Sequence, residues 1–487
     1  MRSIFPKACP AIQKIFEEAP AKKIMIVPID YAKHTHTAMA CNGEGTTWRA
    51  PFSVKNNPEG VAFLRQIING LRRKHGIAPE HVLVAGEDGC TFTFNFIHAL
   101  CSQGLTVIGL NARDAKIERS TLVASTDKID LQGVMALVLK RQGRLIHADP
   151  APPASLRQIT HHRTSLVSSQ TASKLRMHAL ADQLLPGFLD VRQSKICPFS
   201  EASLWLMSER FSPAGIRSRR LDTLERKLRE FHTAKPLEAA EALKHLAQSV
   251  LPPPAGLCEA LQFNLAREVD IYTAINGALA RITTEIAKQI AATPAALLTT
   301  VPGIAIPSAA GLYAELADPA RLRGTRQMTS YAGIVAALKQ TGGPEKEARP
   351  TRRKRRANQD LKNHLYMLVR QIQINGHPEL KEDYARRKEA GQDVRFTMAR
   401  RMLRIILFML KNEAFFLPPS LLDNPHPDHL RSYYQQCWKG ILIKWRNVGA
   451  IKEAFAPNTP LEQWRVMLNE LYGLNLSKSS PQYRKAM

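Results

Sequence analysis

The sequence predicts an α/β domain with a mixed β-sheet, followed by a helical, coiled-coil-like middle and a mainly helical C-terminal domain. Three observations support this fold class. Residues 24–143 alternate short apolar runs with amphipathic segments, the pattern of strands and helices packed in layers. Residues 144–294 repeat apolar residues at every third or fourth position, which is typical of long helices. From residue 295 onward the helical patterns are shorter and the chain is strongly basic.

Each element of the first domain has its own pattern. "IMIVPIDYA" (24–32) is a nearly continuous apolar run, as expected of a strand buried on both faces. Two shorter strands follow around the turn-like "GEG", and residues 57–76 form an amphipathic helix. The remaining predicted elements are a strand over 81–88, a helix over "NFIHALCSQG", a strand over 106–112 and a helix that begins near Asp127.

The same patterns predict five regions along the chain. They are an N-terminal extension (1–23), the α/β domain (24–143), a helical middle with an insert (144–294), a mainly helical domain (295–412) and an aromatic-rich basic tail (413–487).

Four acidic residues stand where such a domain carries chemistry. Asp30 ends the first predicted strand, Glu87 ends the fourth, and Asp127 and Asp130 precede the apolar stripe of the last helix. Ligands of open α/β sheets bind beyond the strand ends, where clustered carboxylates repel unless cations lie among them. The four acids together indicate a Mg²⁺ site. Taken singly, each acid is more simply a helix-capping or solvated residue.

These acids, in this order of strands and helices, resemble the DEDD transposases of bacterial insertion sequences, whose relatives include the Piv-type DNA invertases. Because that catalytic domain is similar to the RuvC Holliday-junction resolvase, the resemblance implies an RNase H-like mixed sheet. It also implies that Asp30, Glu87, Asp127 and Asp130 are catalytic residues that bind Mg²⁺. The flanks "PIDYAKHTHTAMA" and "GLNARDAKIERSTLVASTDKIDLQG" resemble the family as well, whereas "EDGCTF" departs from it and leaves Asp88 as a weaker candidate.

Residues 328–371 resemble the second conserved domain of this family, in which a serine takes the DNA strand covalently. In "YAGIVAALKQTGG", Thr341 stands where that serine is expected. The hydroxyl is retained, but the added methyl group makes χ1 stiff. Three interpretations remain open: a working threonine nucleophile, a slowed enzyme, or a protein that binds nucleic acid without strand transfer.

The basic run that follows is interpreted as a phosphate-binding segment, with a solvated loop or a look-alike of a nuclear-import signal as the alternatives. The proposed nucleic-acid-binding residues are Arg349, Arg352, Arg353, Lys354, Arg355 and Arg356.

Composition favours a polyanionic partner. Lys and Arg number 68 against 42 Asp and Glu, which gives a net charge of +26. An excess of this size favours nucleic acid over an anionic membrane, and no apolar run approaches the ~20 residues of a membrane span. The seven cysteines are scattered without a CxxC pair, as expected of reduced thiols. We therefore expect a cytoplasmic, nucleoid-associated bacterial protein without a signal peptide.

Two other segments have two interpretations each. The apolar seam over 261–290 fits packing within one chain or dimerisation equally well. The segment "LLTTVPGIAIPSAAGLYAEL" (297–316) resembles a helix–hairpin–helix that holds phosphate, and fits a plain helix turn about as well.

The tail and the histidines are expected to be structural. Most aromatic residues of the tail are predicted to lie in a core, with stacking on RNA bases as the alternative. His34 with His36, and His161 with His162, are interpreted as ordinary polar positions, because no third ligand follows at a metal-binding spacing.

The function predicted from these features is a Mg²⁺-dependent DNA recombinase of the transposase kind. The resemblance implies donor and target DNA, a structured noncoding guide RNA and a homo-oligomer, a dimer or tetramer, as partners. The alternatives are a metal-only nuclease of the Holliday-junction type, and a non-catalytic RNA- or DNA-binding protein.

Overall fold

The computed structural model describes residues 9–87, 93–119, 127–146, 152–316, 325–335, 337–339, 349–351 and 357–478. The chain divides into two compact units, Met1–Pro150 and Ala151–Met487. We call them the sheet unit and the helical unit and describe each by itself.

The sheet unit confirms the predicted mixed sheet. Its strands are β1 Met25–Asp30, β2 Thr35–Asn42, β3 Thr47–Lys55, β4 Val82–Glu87, β5 Thr106–Leu110 and β6 Arg144–Ile146. Its helices are α1 Pro10–Glu18, α2 Pro58–His75, α3 Phe94–Ser102, α4 Ala112–Arg119 and α5 Asp127–Leu139, with 3₁₀ turns at Ala21–Lys23 and Pro79–His81. The strand order is β3-β2-β1-β4-β5-β6, in which β1, β4 and β5 run parallel and the others pair antiparallel.

Helices cover both faces of this sheet. One core joins α1, α4 and α5 to β1, β4 and β5 through residues such as Ile12, Ile26 and Val134. The other core joins α2 and α3 to the opposite side of the same strands through residues such as Leu64, Phe96 and Val84. Burial on both sides explains why β1 and β4 are continuous apolar runs in the sequence.

Three elements of the sheet unit were not predicted from the sequence: α1, α4 and β6. The β6 strand has three residues, too few for any periodicity, and it is held by antiparallel pairing with β5. Helix α1 has a clear apolar face, on which Ile12 and Ile15 are buried.

The helical unit contains, in order, α6 Pro152–Leu184, α7 Val191–Ser194, α8 Glu201–Ser208, α9 Pro213–Ser218, α10 Leu221–Glu230, α11 Pro236–Ser249, α12 Ala255–Ala291, α13 Ala295–Leu298, α14 Ile306–Leu316, α15 Thr325–Tyr331, β7 Ala337–Lys339, β8 Arg349–Thr351, α16 Gln359–Asn375, α17 Pro378–Glu389, α18 Val394–Asn412, α19 Pro419–Asp423, α20 Pro427–Asn447, α21 Ile451–Ala454 and α22 Pro460–Tyr472. Together with the sheet unit, it confirms the predicted α/β plus α fold class.

The long helices α6 and α12 pack antiparallel. Arg176 on α6 donates a 2.7 Å hydrogen bond to Glu268 on α12, and Arg163 donates one of 3.2 Å to Thr283. The predicted apolar seam of α12 is divided between two cores. Its first part packs with the insert helices α8 to α11, and its last part packs with the C-terminal helices. Between them, Ile275 is only half-buried.

The aromatic tail confirms the prediction of a core. Phe415, Phe416, Tyr433, Tyr434, Trp438 and Trp445 are buried, and Trp464 and Tyr472 pack against them. Among the described residues, the cysteines are unpaired. No helix in the described part of the chain is long and apolar enough to cross a membrane.

Candidate active site

Strand register places two of the predicted acids side by side. In the parallel pair of β1 and β4, Ile29 lies opposite Gly86. Asp30 and Glu87 are the next residues of the two strands, so both stand at the carboxyl edge of the sheet, and both are half-buried. A half-buried acid pair at a strand edge is the placement expected of ligands for a hard cation.

Alternation along the strands sets the side on which these acids lie. Ile24 and Ile26 belong to the core under α5, so Asp30 has the same parity and faces α5. Leu83 and Ala85 belong to that core too, which places Glu87 on the same face. The two acids are therefore directed to one layer of the domain.

Helix α5 brings the third acid to this edge. Its last residue, Leu139, lies beside Gly45 in the turn at the amino end of β1, so its first turn is directed toward the carboxyl edge. Asp130 in that first turn is half-buried, and Leu131 and Val134 after it are fully buried. Asp127 begins α5, and its side chain lies outside the described residues, as does Asp88.

These acids fit a divalent cation by donor type, since carboxylate oxygens are the ligands that Mg²⁺ prefers. The N-terminal end of α5 also favours negative charge, so the capping interpretation of Asp127 and Asp130 is compatible with the same placement.

Tyr31 supports the acidic edge from the opposite face. An ideal Cβ built on Gly86 would lie 2.2 Å from the Tyr31 ring, so the glycine lets this ring pack directly on the strand before Glu87. His36 packs edge-on against Tyr31, with ring centroids 5.4 Å apart, and against Phe96 at 4.3 Å.

The interpretation of His36 as an ordinary polar position was wrong. Its side chain is fully buried, and burial lowers the pKa of its imidazole. The sequence signal was its place inside an apolar strand. His34, by contrast, lies just before β2 and is exposed.

The second predicted site, around Thr341, lies in the helical unit. The structure describes only some of the residues that flank Thr341. Tyr331 ends α15, and the short strands β7 and β8 pair antiparallel. Arg349 is the first residue of β8. Thr341 lies outside the described residues, as do Arg352, Arg353, Lys354, Arg355 and Arg356.

His161 does have acidic neighbours, contrary to the sequence interpretation. Its Nε2 lies 2.7 Å from Glu315 Oε1 and 3.6 Å from Asp360 Oδ2, and these ligand atoms all lie within 4.8 Å of one another. No spacing in the sequence reveals this, because the three residues come from α6, α14 and α16. A separation of 2.7 Å is that of a hydrogen bond, and Arg157 Nε lies 3.4 Å from the same Glu315 oxygen. We therefore describe this group as a polar network.

Asp383 is another buried carboxylate, and it is surrounded by arginines. Burial raises the pKa of its carboxyl group, but hydrogen bonds from Arg387, Arg386 and Arg401 outweigh that effect and lower the pKa to about 2. Arg387 and Arg386 lie on the same helix, α17, at 2.8 and 2.6 Å, and Arg401 reaches across from α18. The carboxylate therefore ties these two helices together.

The predicted hairpin over 297–316 comprises the short helix α13, a turn at Gly303 with φ +92°, and α14. A Cβ on Gly303 would lie 3.3 Å from the Gln371 backbone oxygen, so the turn packs closely on α16. Ala305, which replaces a glycine of the usual hairpin, is exposed. Phosphate binding by this turn stays a prediction.

Comparison with known protein families finds two matching regions. A model described as "Transposase", for the DEDD proteins of IS110, matches residues 27–186, and the model "Transposase IS116/IS110/IS902 family" matches residues 295–385. No curated protein matches the chain. The first match includes the four predicted acids and the second includes Thr341, and together they define the protein as a transposase. More specifically, the chain belongs to the DEDD transposases of the IS110 family.

Proposed function

We propose that this transposase cuts and rejoins DNA through a covalent link between Thr341 and a DNA phosphate, and that Asp30, Glu87, Asp127 and Asp130 are the acids this reaction uses. The observation that carries the proposal is the parallel register of β1 and β4, which ends both strands on a carboxylate.

The covalent step balances as a phosphoryl transfer. The Thr341 hydroxyl oxygen bonds to phosphorus, the phosphorus–O3′ bond breaks, the hydroxyl proton is lost and the departing 3′-oxygen gains one. The reverse attack by a 3′-hydroxyl rejoins the DNA, so the energy of the phosphodiester is conserved. Mg²⁺ held by the four acids would supply charge neutralisation at the phosphate. Asp30, Glu87 and Asp130 are half-buried, which strengthens their electrostatic interactions relative to open water.

The partners proposed for this reaction are donor and target DNA and a structured noncoding guide RNA. The net charge of +26 supports nucleic-acid partners in general, and the basic run at 349–356 supports phosphate contacts near Thr341. A homo-oligomer, dimer or tetramer, is supported by the half-buried middle of the α12 seam. The same charge supports a nucleoid-associated, cytoplasmic protein.

The test is a covalent-adduct assay. Full-length protein, with co-purified RNA retained, is incubated with nicked substrate DNA and Mg²⁺, and denaturant-resistant adducts are located by mass spectrometry. An adduct on Thr341 that is absent from Thr341→Ala and from Asp130→Asn supports the proposal. Thr341→Ser is the matched variant that retains the hydroxyl and should form adduct at least as fast.

Two results would contradict the proposal, each in favour of one alternative. Mg²⁺-dependent cutting without adduct, unaffected by Thr341→Ala, identifies a nuclease in which water attacks. Tight binding of nucleic acid without cutting or adduct identifies a binding protein.

A further inference from the structure

Residues 332–357 carry Thr341, and we call them the Thr341 segment. The residues at its two ends lie next to each other in the helical unit. The backbone N–H of Asn358, which caps α16, donates a 2.8 Å hydrogen bond to the carbonyl oxygen of Tyr331, the last residue of α15. Gly333 has φ +65°, and a Cβ there would lie 2.5 Å from the Ala357 Cβ. The two described ends of the segment are therefore in direct contact.

Side-chain hydrogen bonds also connect the two ends of this segment. Asn358 Nδ2 donates to the Tyr331 hydroxyl at 2.9 Å and to Glu315 Oε2 at 2.6 Å. The Tyr331 hydroxyl in turn lies 3.4 Å from the Glu315 carbonyl oxygen. Asn358 Oδ1 accepts from the Leu361 N–H at 2.8 Å, so one side chain both caps α16 and contacts Tyr331. Each group has a defined donor or acceptor role, which fixes its orientation.

Glu315 anchors this arrangement. Only 2% of the residue is exposed, and its second oxygen accepts from His161 on α6, with Arg157 beside it. A buried carboxylate with one cationic neighbour and two further donors is strongly held, and its loss leaves those donors without an acceptor. The carboxylate thereby connects α6 and α14 to both ends of the Thr341 segment.

We propose that Glu315 is a positioning residue for strand transfer, which acts through Asn358 and Tyr331 to set the base of the segment that delivers the Thr341 hydroxyl. The proposal rests on the proposed function. Displacing a nucleophile by about an ångström costs on the order of 100-fold in rate, so a small opening of this base is sufficient to matter.

The test uses Glu315→Gln in the full-length protein with its RNA. A glutamine has a single acceptor oxygen and so cannot serve both His161 and Asn358. We expect adduct formation at saturating DNA to slow ~10- to 100-fold, while the Kd for DNA is unchanged. Amide hydrogen exchange at Asn358, whose N–H bonds Tyr331, should become faster.

A compensating variant separates positioning from general damage. In the double variant Glu315→Gln/Asn358→Asp, the amide is at position 315 and the carboxylate is at position 358. The amide at 315 therefore donates to the carboxylate at 358. That carboxylate still caps α16 and accepts from the Tyr331 hydroxyl. Recovery of the adduct rate in the double variant supports the proposal. Glu462→Gln is the matched control, because Glu462 is equally a buried carboxylate, paired with Arg465, in another part of the unit. That control should leave the adduct rate unchanged.

The outcomes distinguish the two proposals. If the wild-type protein forms adduct and Glu315→Gln forms it at the same rate, the positioning role is wrong and the proposed function stands. If the wild-type protein forms no adduct, the proposed function fails and takes this inference with it. If Glu315→Gln does not fold, Tyr331→Phe is tested in its place. This variant removes one hydroxyl from a side chain near the surface, and the same slowing of adduct formation is expected.

Discussion

The acidic edge of the sheet unit and the Glu315 network of the helical unit both contain buried or half-buried carboxylates, but they are assembled in different ways. At the edge, Asp30 and Glu87 are brought together by strand register alone, since their strands are paired throughout. In the network, His161 lies on α6, Glu315 on α14 and Asn358 at the N-cap of α16, and they meet only because those helices pack.

The two regions also differ in the number of carboxylates that they bring together. In the network the donors of Arg157, His161 and Asn358 surround Glu315. At the edge, Asp30 and Glu87 follow strand residues of the core under α5, and Asp130 lies in the first turn of that helix, so the three acids share one side of the sheet. The network therefore has one carboxylate among donors from several elements, whereas the edge has several carboxylates on one face.

The largest expected effect comes from the edge. Glu87→Gln should lower Mg²⁺-dependent cutting by on the order of 1,000-fold, because a charged ligand is lost where charge neutralisation is needed. Cleavage of labelled DNA under single-turnover conditions measures this. Glu80→Gln is the matched control, an exposed glutamate just before the same strand, and should cut normally. Equal activity of the two variants would remove Glu87 from the site.

An intermediate effect is expected from the packing of the Tyr31 ring on Gly86, next to the acidic edge. Gly86→Ala forces a methyl group into the Tyr31 ring and to within 2.8 Å of the Ile29 carbonyl oxygen. Overpacking of this kind costs about 1–3 kcal/mol of unfolding free energy, and cutting should fall at least ~10-fold because Asp30 and Glu87 follow directly. Urea denaturation and the cleavage assay measure the two effects.

The control for that substitution is Gly70→Ala, since a Cβ on Gly70 has no atom within 4 Å. Alanine in the middle of α2 should raise the unfolding free energy by about 0.5–1 kcal/mol and leave cutting unchanged. A fully active and stable Gly86→Ala would show that the acids do not depend on this packing.

The smallest effect on chemistry is expected at Asp383, a carboxylate compensated by arginines. Its folded pKa of about 2 lies below the unfolded value of 3.8, so its contribution to stability is present above pH 3.8 and is lost as the pH falls toward 2. Asp383→Asn should cost about 2 kcal/mol at pH 7 and weaken the loss of stability between pH 4 and 2. Tryptophan fluorescence in urea at several pH values measures this.

Asp423→Asn, at an exposed carboxylate that ends α19, is the matched control and should change stability by less than about 0.5 kcal/mol. Adduct formation at pH 7 should be unchanged in both variants. A large loss of adduct in Asp383→Asn alone would contradict a purely structural role for Asp383.

The sheet unit was predictable because its signals are local. The apolar runs of β1 and β4 show burial on both faces, and Asp30 and Glu87 stand at their ends. The aromatic tail was equally predictable, since large rings such as Trp438 and Trp445 lose most when exposed to water. The three-residue β6 has no such signal and depends on pairing with β5.

The sequence by itself determined the fold class, most strands and helices of the sheet unit, and the places of Asp30 and Glu87 at strand ends, because periodicity and strand ends are properties of neighbouring residues. Only the tertiary structure decided which histidines are buried and which lie beside a carboxylate. His36 is buried by α3 and Tyr31, and His161 meets Glu315 across 154 positions of the chain. Contacts of that separation follow from helix packing, in which many side chains jointly set the position of each one, and no local pattern records them.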